Sequence, residues 1–206
     1  MQLVDFEVAK NILSKYKISF PKTVFVLSGN NINKSIKGLK YPLFLKAYGK
    51  NILHRIELGG IKEVATLAEL RKIFPKIFKI KGVDGILVQE KADGKNLILG
   101  MKRDAQFGPV IMVGIGGLLT EILNDVVLRV APVSETEALK MLTELKGYSY
   151  LLGKRDKKVV NLRAVAKIVA ALSSLALKET YIKEIDLNPV IANEKTASAV
   201  DFKFLV

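Results

Sequence analysis

The chain has 206 residues, of which 50% are hydrophobic and 26% are charged. This is enough apolar material for a folded core and excludes disorder over most of its length. The longest apolar run, residues 110–119 with its glycines, is far shorter than the roughly 18 residues that a membrane-spanning helix needs. Acids near the start are atypical of a signal peptide, and the lack of cysteine excludes disulfides and thiolate chemistry. These features predict a cytoplasmic globular protein that does not interact with membranes.

The charge balance is strongly basic: 33 Lys and Arg against 20 Asp and Glu give a net charge of +13. Such an excess attracts polyanions, among them nucleic acids, nucleotide phosphates and acidic partner subunits. The lysines, however, are scattered from Lys10 to Lys203, and no aromatic-rich nucleic-acid motif accompanies them. Nucleic-acid binding is therefore a disfavoured alternative, and a solvated lysine-rich surface is the simpler interpretation.

The first half of the chain mixes helical and extended patterns. Apolar spacing predicts helices over residues 5–17 and 67–78, and Pro75 is expected to break or kink the second. Strands are expected over residues 23–27, 43–48 and 85–90, with a further extended piece after Gly59 and Gly60.

The second half begins with a predicted hairpin, in which residues 96–102 and 110–113 flank a turn-rich segment. A strand over 126–130 follows, then a helix that begins after Ser134 with Glu137 in the capping-box position. The remaining predictions are a helix over 162–178 and two strands, 181–188 and 197–204, around a polar turn. This mixed order predicts an α+β architecture.

A polar group lies near the C-terminus. Alternation along the predicted strand places Glu184, Asp186 and Asn188 on one face, and a hairpin would bring Asp201 next to them. Clustered acids destabilise a sheet face unless a cation lies between them, and hard oxygen ligands suit Mg²⁺. The alternative is a polar sheet face that is neutralised by surrounding lysines such as Lys203.

Three further features invite a phosphate ligand. Lys46 stands alone in an apolar strand, where the pattern favours an edge lysine over one that points into a cleft. The pair Gly59 and Gly60 either presents amide donors to phosphate or forms a plain turn. His54 is the only histidine; such a residue is more often structural, but here it is the one side chain suited to carry a phosphoryl group at neutral pH.

Several long stretches resemble the ATP-grasp β subunit of ADP-forming acetyl-CoA synthetase, also called acetate–CoA ligase, and the homologous domains of larger acyl-CoA ligases. The resemblance covers nearly the whole chain. It rests on residues 42–46, 52–60, 85–90, 102–117, 129–132, 184–189 and 200–201, together with Glu121 and Asp125. It implies an ATP-grasp fold, with residues 1–206 as a single domain whose two α+β subdomains, approximately 1–90 and 91–206, close on a nucleotide.

The same resemblance implies the site. The nucleotide-binding set would be Lys46 at the phosphates, Gly59 and Gly60 in a mobile phosphate loop, the hinge Gln89, Glu90, Lys91 and Ala92 at the adenine, and Arg129. Asn188 and Asp201 would bind Mg²⁺, and His54 would be the catalytic phosphoryl relay.

The implied reaction converts acyl-CoA, ADP and phosphate to acid, CoA and ATP, with a partner α subunit that carries the CoA-binding and phosphohistidine domains. The alternative is a non-catalytic ATP-grasp scaffold or regulatory subunit, because Ile56 and Glu57 replace the Ser-Asp pair of the family loop.

Overall fold

The chain forms two compact units in the computed structural model, which describes residues 2–27, 29, 32–49, 52, 55–117, 125–154 and 156–206. One unit is Pro21–Lys91, and the other combines Met1–Phe20 with Ala92–Val206. The start of the chain therefore belongs with the C-terminal part and not, as predicted from the sequence, with residues up to 90. The physical reason is strand pairing, since the amides and carbonyls of Gln2 and Val206 exchange two hydrogen bonds of 3.0 Å.

The unit Pro21–Lys91 is built on a four-stranded antiparallel sheet in the order β1-β4-β2-β3. Its strands are β1 (Thr23–Val26), β2 (Leu43–Tyr48), β3 (Ile61–Val64) and β4 (Gly85–Glu90), and its helices are the short α2 (Ile32–Ser35) and α3 (Leu67–Phe78). Alternate residues of β2 and β4, such as Leu45 and Val88, form a buried core with Leu70 and Phe74 of α3. One face of the sheet therefore packs on helix, and the other face remains for polar side chains.

Helix α3 continues through Pro75 to Phe78, so Pro75 does not break it, and the alternative expectation of a kink stays a prediction. Its start is fixed by the Thr66 side chain, which accepts a hydrogen bond of 3.2 Å from the Glu69 amide. Phe74 and Ile77, on either side of the proline, are both buried in the core. Their burial offsets the one backbone hydrogen bond that proline cannot make.

The second unit contains a six-stranded antiparallel sheet in the order β10-β8-β5-β6-β7, with β9 paired to β8. The strands are β5 (Lys95–Asp104), β6 (Gly108–Ile115), β7 (Val126–Val130), β8 (Glu184–Ala192), β9 (Ala197–Ala199) and β10 (Phe202–Leu205). Its helices are α1 (Phe6–Lys15), α4 (Glu135–Glu144), α5 (Tyr148–Leu151) and α6 (Leu162–Lys178). The predicted α+β class is confirmed, although the predicted last strand is divided in two and β8 extends to Ala192.

The core of this unit lies between its helices and one face of the sheet. Val169 and Leu172 of α6 are fully buried with Leu99, Val113 and Leu187 of three adjacent strands. Because side chains alternate along a strand, the residues between these core positions lie on the opposite face. No helix among the described residues is long and apolar enough to cross a membrane.

Candidate functional site

The oxygen donors predicted at the C-terminus are neighbours in the second unit. The amide of Asn188 donates a hydrogen bond of 3.1 Å to the carbonyl oxygen of Asp201, and Lys203 lies opposite Asp186 in the register of β10 and β8. Asn188 is exposed, and Asp201 and Asp186 are partly buried. The structure thus brings together the two predicted Mg²⁺ ligands and adds a carboxylate two residues along the strand.

The electrostatics of this group favour a cation. Burial raises the pKa of Asp186, the charges of Asp201 and Glu184 raise it further, and Lys203 opposes them. A divalent ion would relieve the repulsion between the carboxylates. Among the described residues, no three His, Cys, Asp or Glu side chains gather as a metal site. A carboxylate and an amide oxygen are donors of the kind that suit Mg²⁺, which takes one or two carboxylates and completes its shell with water and phosphate oxygens.

A cleft of about 630 Å³ lies beside these donors on the same unit and is lined by Gly100, Met112, Leu128, Glu184 and Asp186, among others. Gly100 pairs with Met112 on one side and with Asp186 on the other. A Cβ atom at Gly100 would lie 3.3 Å from the Met112 Cε and from a backbone oxygen. A larger residue at this position would therefore be crowded by its neighbours in the cleft. The lining of the cleft also contains charged residues of both signs, namely Lys102, Arg103, Asp104 and Arg129.

Lys46 lies on an inner strand of the other unit, and the edge position favoured by the sequence is wrong. Strand β2 has β4 on one side and β3 on the other, and Lys46 is opposite Leu87 of β4. The residue is 5% exposed. Leu45 and Ala47, which flank it, point into the core, so its side chain leaves the opposite face of the sheet.

The two predicted loop glycines lie in a turn that ends against β2. A Cβ atom at Gly60 would be 2.8 Å from the Cβ of Ala47, and Gly59 has a positive φ of +65°, so a side chain would clash at Gly60 and strain the backbone at Gly59. The amide of Gly60 donates to the carbonyl of Arg55 over 2.8 Å, and that of Gly59 donates to Ile56 over 3.0 Å. Both amides are therefore used within the turn. His54 lies outside the described residues.

The predicted hinge coincides with the end of β4 and the boundary between the units. The Glu90 carboxylate accepts a hydrogen bond of 2.9 Å from the Lys40 amide, and Lys91 forms a 2.9 Å ion pair with Glu63. Ala92 is the first residue of the second unit. Glu90 and Lys91 thus secure the end of the strand, while their predicted contacts with a nucleotide stay a prediction.

Arg129 does not join the oxygen donors. It lies opposite Ile111 on the core side of β7, and its guanidinium pairs with Glu137 over 3.0 Å and with Glu144. Both acids belong to helix α4, and they raise the pKa of Arg129 above its usual range, Glu144 most strongly. The arginine predicted to bind nucleotide therefore joins β7 to α4 in this structure.

Two buried charged residues were not predicted. Lys95 is 3% exposed; its ammonium contacts the Asp156 carboxylate at 2.8 Å and the ring of Tyr150 at 3.9 Å from the centroid. Asp125 accepts hydrogen bonds of 2.8 and 2.7 Å from the amides of residues 146 and 147. Lys95 has no sequence signal beyond a charge beside an apolar run, and Asp125 was noted only as part of the family resemblance. Their partners are distant in the chain, so no local pattern predicts these contacts.

The whole described chain, from residue 2 to residue 206, matches the family model described as ATP-grasp domain. The two antiparallel sheets and the oxygen donors on β8 thus belong to an ATP-grasp protein. A relative from Pyrococcus furiosus, the β subunit of ADP-forming acetate–CoA ligase I, is 36% identical over 96% of this chain and 89% of its own length. A 4-hydroxybutyrate–CoA ligase from Nitrosopumilus maritimus is 34% identical over 92% of this chain, which matches 28% of that longer protein.

Solved structures of an acetyl-coenzyme A synthetase also resemble this chain. Acetyl-coenzyme A synthetase 1 from Ca. Korarchaeum cryptofilum, in complex with coenzyme A and Ca-AMPCP, superposes with a TM-score of 0.94 at 32% identity, over 100% of this chain and 93% of that one. Another structure of that protein, at a TM-score of 0.87 and 30% identity over the same shares of the two chains, contains Mg-AMPPCP with its phosphohistidine segment pointing towards the nucleotide site. The chain belongs to the family of ADP-forming acetate–CoA ligase β subunits.

Proposed function

We propose that this chain is the nucleotide-binding subunit of an ADP-forming acyl-CoA synthetase and transfers a phosphoryl group between a phosphohistidine and ADP. The observation that carries the proposal is the adjacency of Asn188 and Asp201, joined by a backbone hydrogen bond of 3.1 Å, in a family whose relative from Ca. Korarchaeum cryptofilum binds Mg-AMPPCP. A cytoplasmic location stays a prediction from the sequence.

Each residue has a defined task in this proposal. Asn188 and Asp201 would hold Mg²⁺ through their side-chain oxygens, and the bound ion supplies positive charge to the nucleotide phosphates. Lys46, whose ammonium leaves the face of the small sheet away from the core, would neutralise the same phosphates. Because phosphoryl transfer is accelerated mainly by positioning and charge neutralisation, these groups suffice without a strong nucleophile on this chain.

The transfer step balances as follows. In the direction of ATP formation, a terminal oxygen of ADP attacks the phosphorus of phosphohistidine, the new P–O bond forms, and the P–N bond breaks with its electron pair returning to the imidazole. The phosphoryl group arrives as phosphohistidine on the segment of a partner α subunit that also carries the CoA-binding domain. In the relay, an imidazole nitrogen of His54 attacks that phosphorus as the P–N bond of the α subunit breaks, and ADP then takes the group from phosphorylated His54. The net reaction is acyl-CoA, ADP and phosphate to acid, CoA and ATP.

Replacing His54 tests the relay. With the α subunit present, His54→Ala is expected to slow acyl-CoA-dependent ATP formation about 100-fold or more, because the phosphoryl acceptor is lost. Leu58→Ala, which changes an exposed side chain four residues further along the chain, is the matched control and is expected to leave the rate near wild type.

The outcomes separate the candidate functions. An unchanged rate in His54→Ala would reject the relay but leave nucleotide binding intact. Binding of ADP without any ATP formation by the wild-type complex would favour the non-catalytic scaffold. The altered loop is the reason for considering that alternative, and Ile56 in it is 81% exposed. Failure of the wild-type chain to bind ADP would overturn the proposed function itself.

A further inference from the structure

The unit Pro21–Lys91 carries most of the positive charge of the chain, although it is the smaller of the two units. It contains 14 Lys and Arg against five Asp and Glu, which gives +9 of the net charge of +13. The lysines that are scattered along the sequence are therefore unevenly distributed in the fold.

Three of these lysines form a stripe on the exposed side of helix α3. The helix buries one side in the core of its unit, whereas Lys72, Lys76 and its C-cap residue Lys79 are exposed. Residues spaced by four and then three positions lie on one side of an α-helix, which has 3.6 residues per turn. Because the core lies between α3 and the sheet, this lysine stripe is directed away from the sheet face that carries Lys46.

Acids of the chain do not neutralise the lysine stripe. Glu69 is the acid of α3, and its carboxylate accepts a hydrogen bond of 2.7 Å from the amide of Ala65. In the part of the chain that the structure describes, none of the three lysines forms an ion pair or a side-chain hydrogen bond. Like charges four residues apart, such as Lys72 and Lys76, destabilise a helix. The helix dipole favours cations near the last turn, at Lys76 and Lys79, but does not account for Lys72.

Further positive charge surrounds the lysine stripe. Arg71 of α3 and Lys81 just after it are exposed, as are Lys34 and Lys37 in and after α2. The segment with α2 contributes Ile36 to the same core as α3. A surface of this kind attracts a polyanion over a long range.

The side chains of this surface favour a phosphate backbone over a folded protein. Protein–protein interfaces are depleted in Lys and enriched in aromatic residues, and the aromatic residue beside the stripe, Phe78, is only 36% exposed. Proteins that bind single strands also use aromatic side chains, on which the bases stack. Duplex DNA requires only cations, since it carries one negative charge per about 1.7 Å of its axis. The stripe spans about 10 Å along α3, which matches the rise of about three nucleotides of one strand.

We propose that the lysine stripe binds the phosphate backbone of double-stranded DNA without reading its sequence. Each ammonium donates to a phosphate oxygen and releases counterions that are condensed on the duplex. The stripe contains no Arg, Asn or Gln that would pair with a base edge in a fixed geometry. This binding site is separate from the proposed function and does not depend on it.

Fluorescence anisotropy of a labelled random-sequence DNA duplex, titrated with the full chain, tests the inference. The wild-type chain is expected to bind with a dissociation constant of about 10⁻⁶ to 10⁻⁴ M near physiological salt, and more tightly at about 50 mM salt. The triple variant Lys72→Gln, Lys76→Gln and Lys79→Gln is expected to bind about tenfold or more weakly. The slope of log K against log salt should fall in magnitude by about 2 to 3, because three phosphate contacts are lost.

A second triple variant is the matched control. Lys146→Gln, Lys178→Gln and Lys195→Gln remove the same charge from exposed positions of the other unit. This variant is expected to bind within about threefold of wild type, because salt screens distant charges. Glutamine is a good helix former, and far-UV circular dichroism checks that both variants are folded.

The inference is overturned if the wild-type chain does not bind the duplex at about 50 mM salt, or if the two triple variants lose affinity equally. Tighter binding of single-stranded DNA or of an RNA duplex would assign the stripe to another nucleic acid and overturn it too. Displacement of the duplex by the α subunit, with weaker α-subunit binding in the stripe variant, would show a protein interface instead. ATP formation with the α subunit, which is expected to be unchanged in the stripe variant, tests the proposed function separately.

Discussion

The two units share an architecture but differ in the chemistry of the sheet face that turns away from the core. In Pro21–Lys91 this face carries the cation of Lys46 and the amide of Gln89; in the second unit it carries the oxygens of Asp186 and Asn188. A magnesium nucleotide needs both kinds of partner, cations for its phosphates and oxygens for its metal. The proposed function assigns the phosphate contact to Lys46 on the first face and the metal ligands to Asn188 and Asp201 on the second unit.

The largest expected effect is on the cationic side. Lys46→Met removes the ammonium and keeps the length of the side chain, so ATP formation with the α subunit is expected to fall about 100-fold or more. The rate of ATP formation measures this effect. Lys62→Met, an exposed lysine on the neighbouring strand β3, should behave as wild type. Equal losses of ATP formation in Lys46→Met and Lys62→Met would mean that the rate depends on the total positive charge of the chain and not on the position of Lys46.

On the oxygen side, Asp201→Asn is expected to raise the Mg²⁺ concentration for half-maximal activity about tenfold or more, since a neutral amide binds the ion less tightly than a carboxylate. A titration of activity with Mg²⁺ at fixed ADP measures the shift. Glu194→Gln changes an exposed acid in the turn before β9 and serves as control. A wild-type Mg²⁺ response in Asp201→Asn would remove this residue from the metal site.

The two cores offer a stability test of the division into units. Leu45 is fully buried in Pro21–Lys91. Leu45→Ala is expected to lower the free energy of unfolding by about 3 kcal/mol, because a cavity remains in the core. Hydrogen exchange should show lost protection in β2 and β4, with protection in β5 and β8 retained. Leu187→Ala, in the other core, should give the reverse pattern. Uniform loss of protection in both variants would show that the units unfold as one.

The smallest effect concerns pH. Hydrogen bonds from Lys15 and then Tyr16, at 2.6 and 2.8 Å, lower the pKa of Glu179 below its ordinary value of 4.5. A carboxylate with a lowered folded-state pKa stabilises the fold above its unfolded pKa, and this stabilisation is lost as the pH falls through the folded value.

Acid unfolding, followed by circular dichroism, is expected to show a steeper loss of stability below about pH 4.5 in the wild type than in Glu179→Gln. The difference between the two proteins should therefore shrink as the pH falls. A constant difference in stability between the two proteins across this pH range would show that the lowered pKa of Glu179 does not contribute to the stability of the fold.

Local patterns predicted much of the fold, whereas long-range pairing explains the errors. Alternation along β8 identified the face with Asp186 and Asn188, because a strand has a period of two wherever it lies in the fold. The place of Lys46 on an inner strand depends on which strands are its neighbours, and strand order has no local signal. The ion pairs of Arg129 with α4 and the hydrogen bonds of residues 2 and 206 likewise join segments that are remote in sequence.

The central claim is that Lys46, Asn188 and Asp201 contact one magnesium nucleotide. A crystal structure of the chain with Mg²⁺ and ADP tests it most directly. We expect the Lys46 ammonium within hydrogen-bond distance of a phosphate oxygen, and side-chain oxygens of Asn188 and Asp201 at about 2.1 Å from the ion. A nucleotide bound without contact to Lys46, or an ion held by other residues, would contradict the claim.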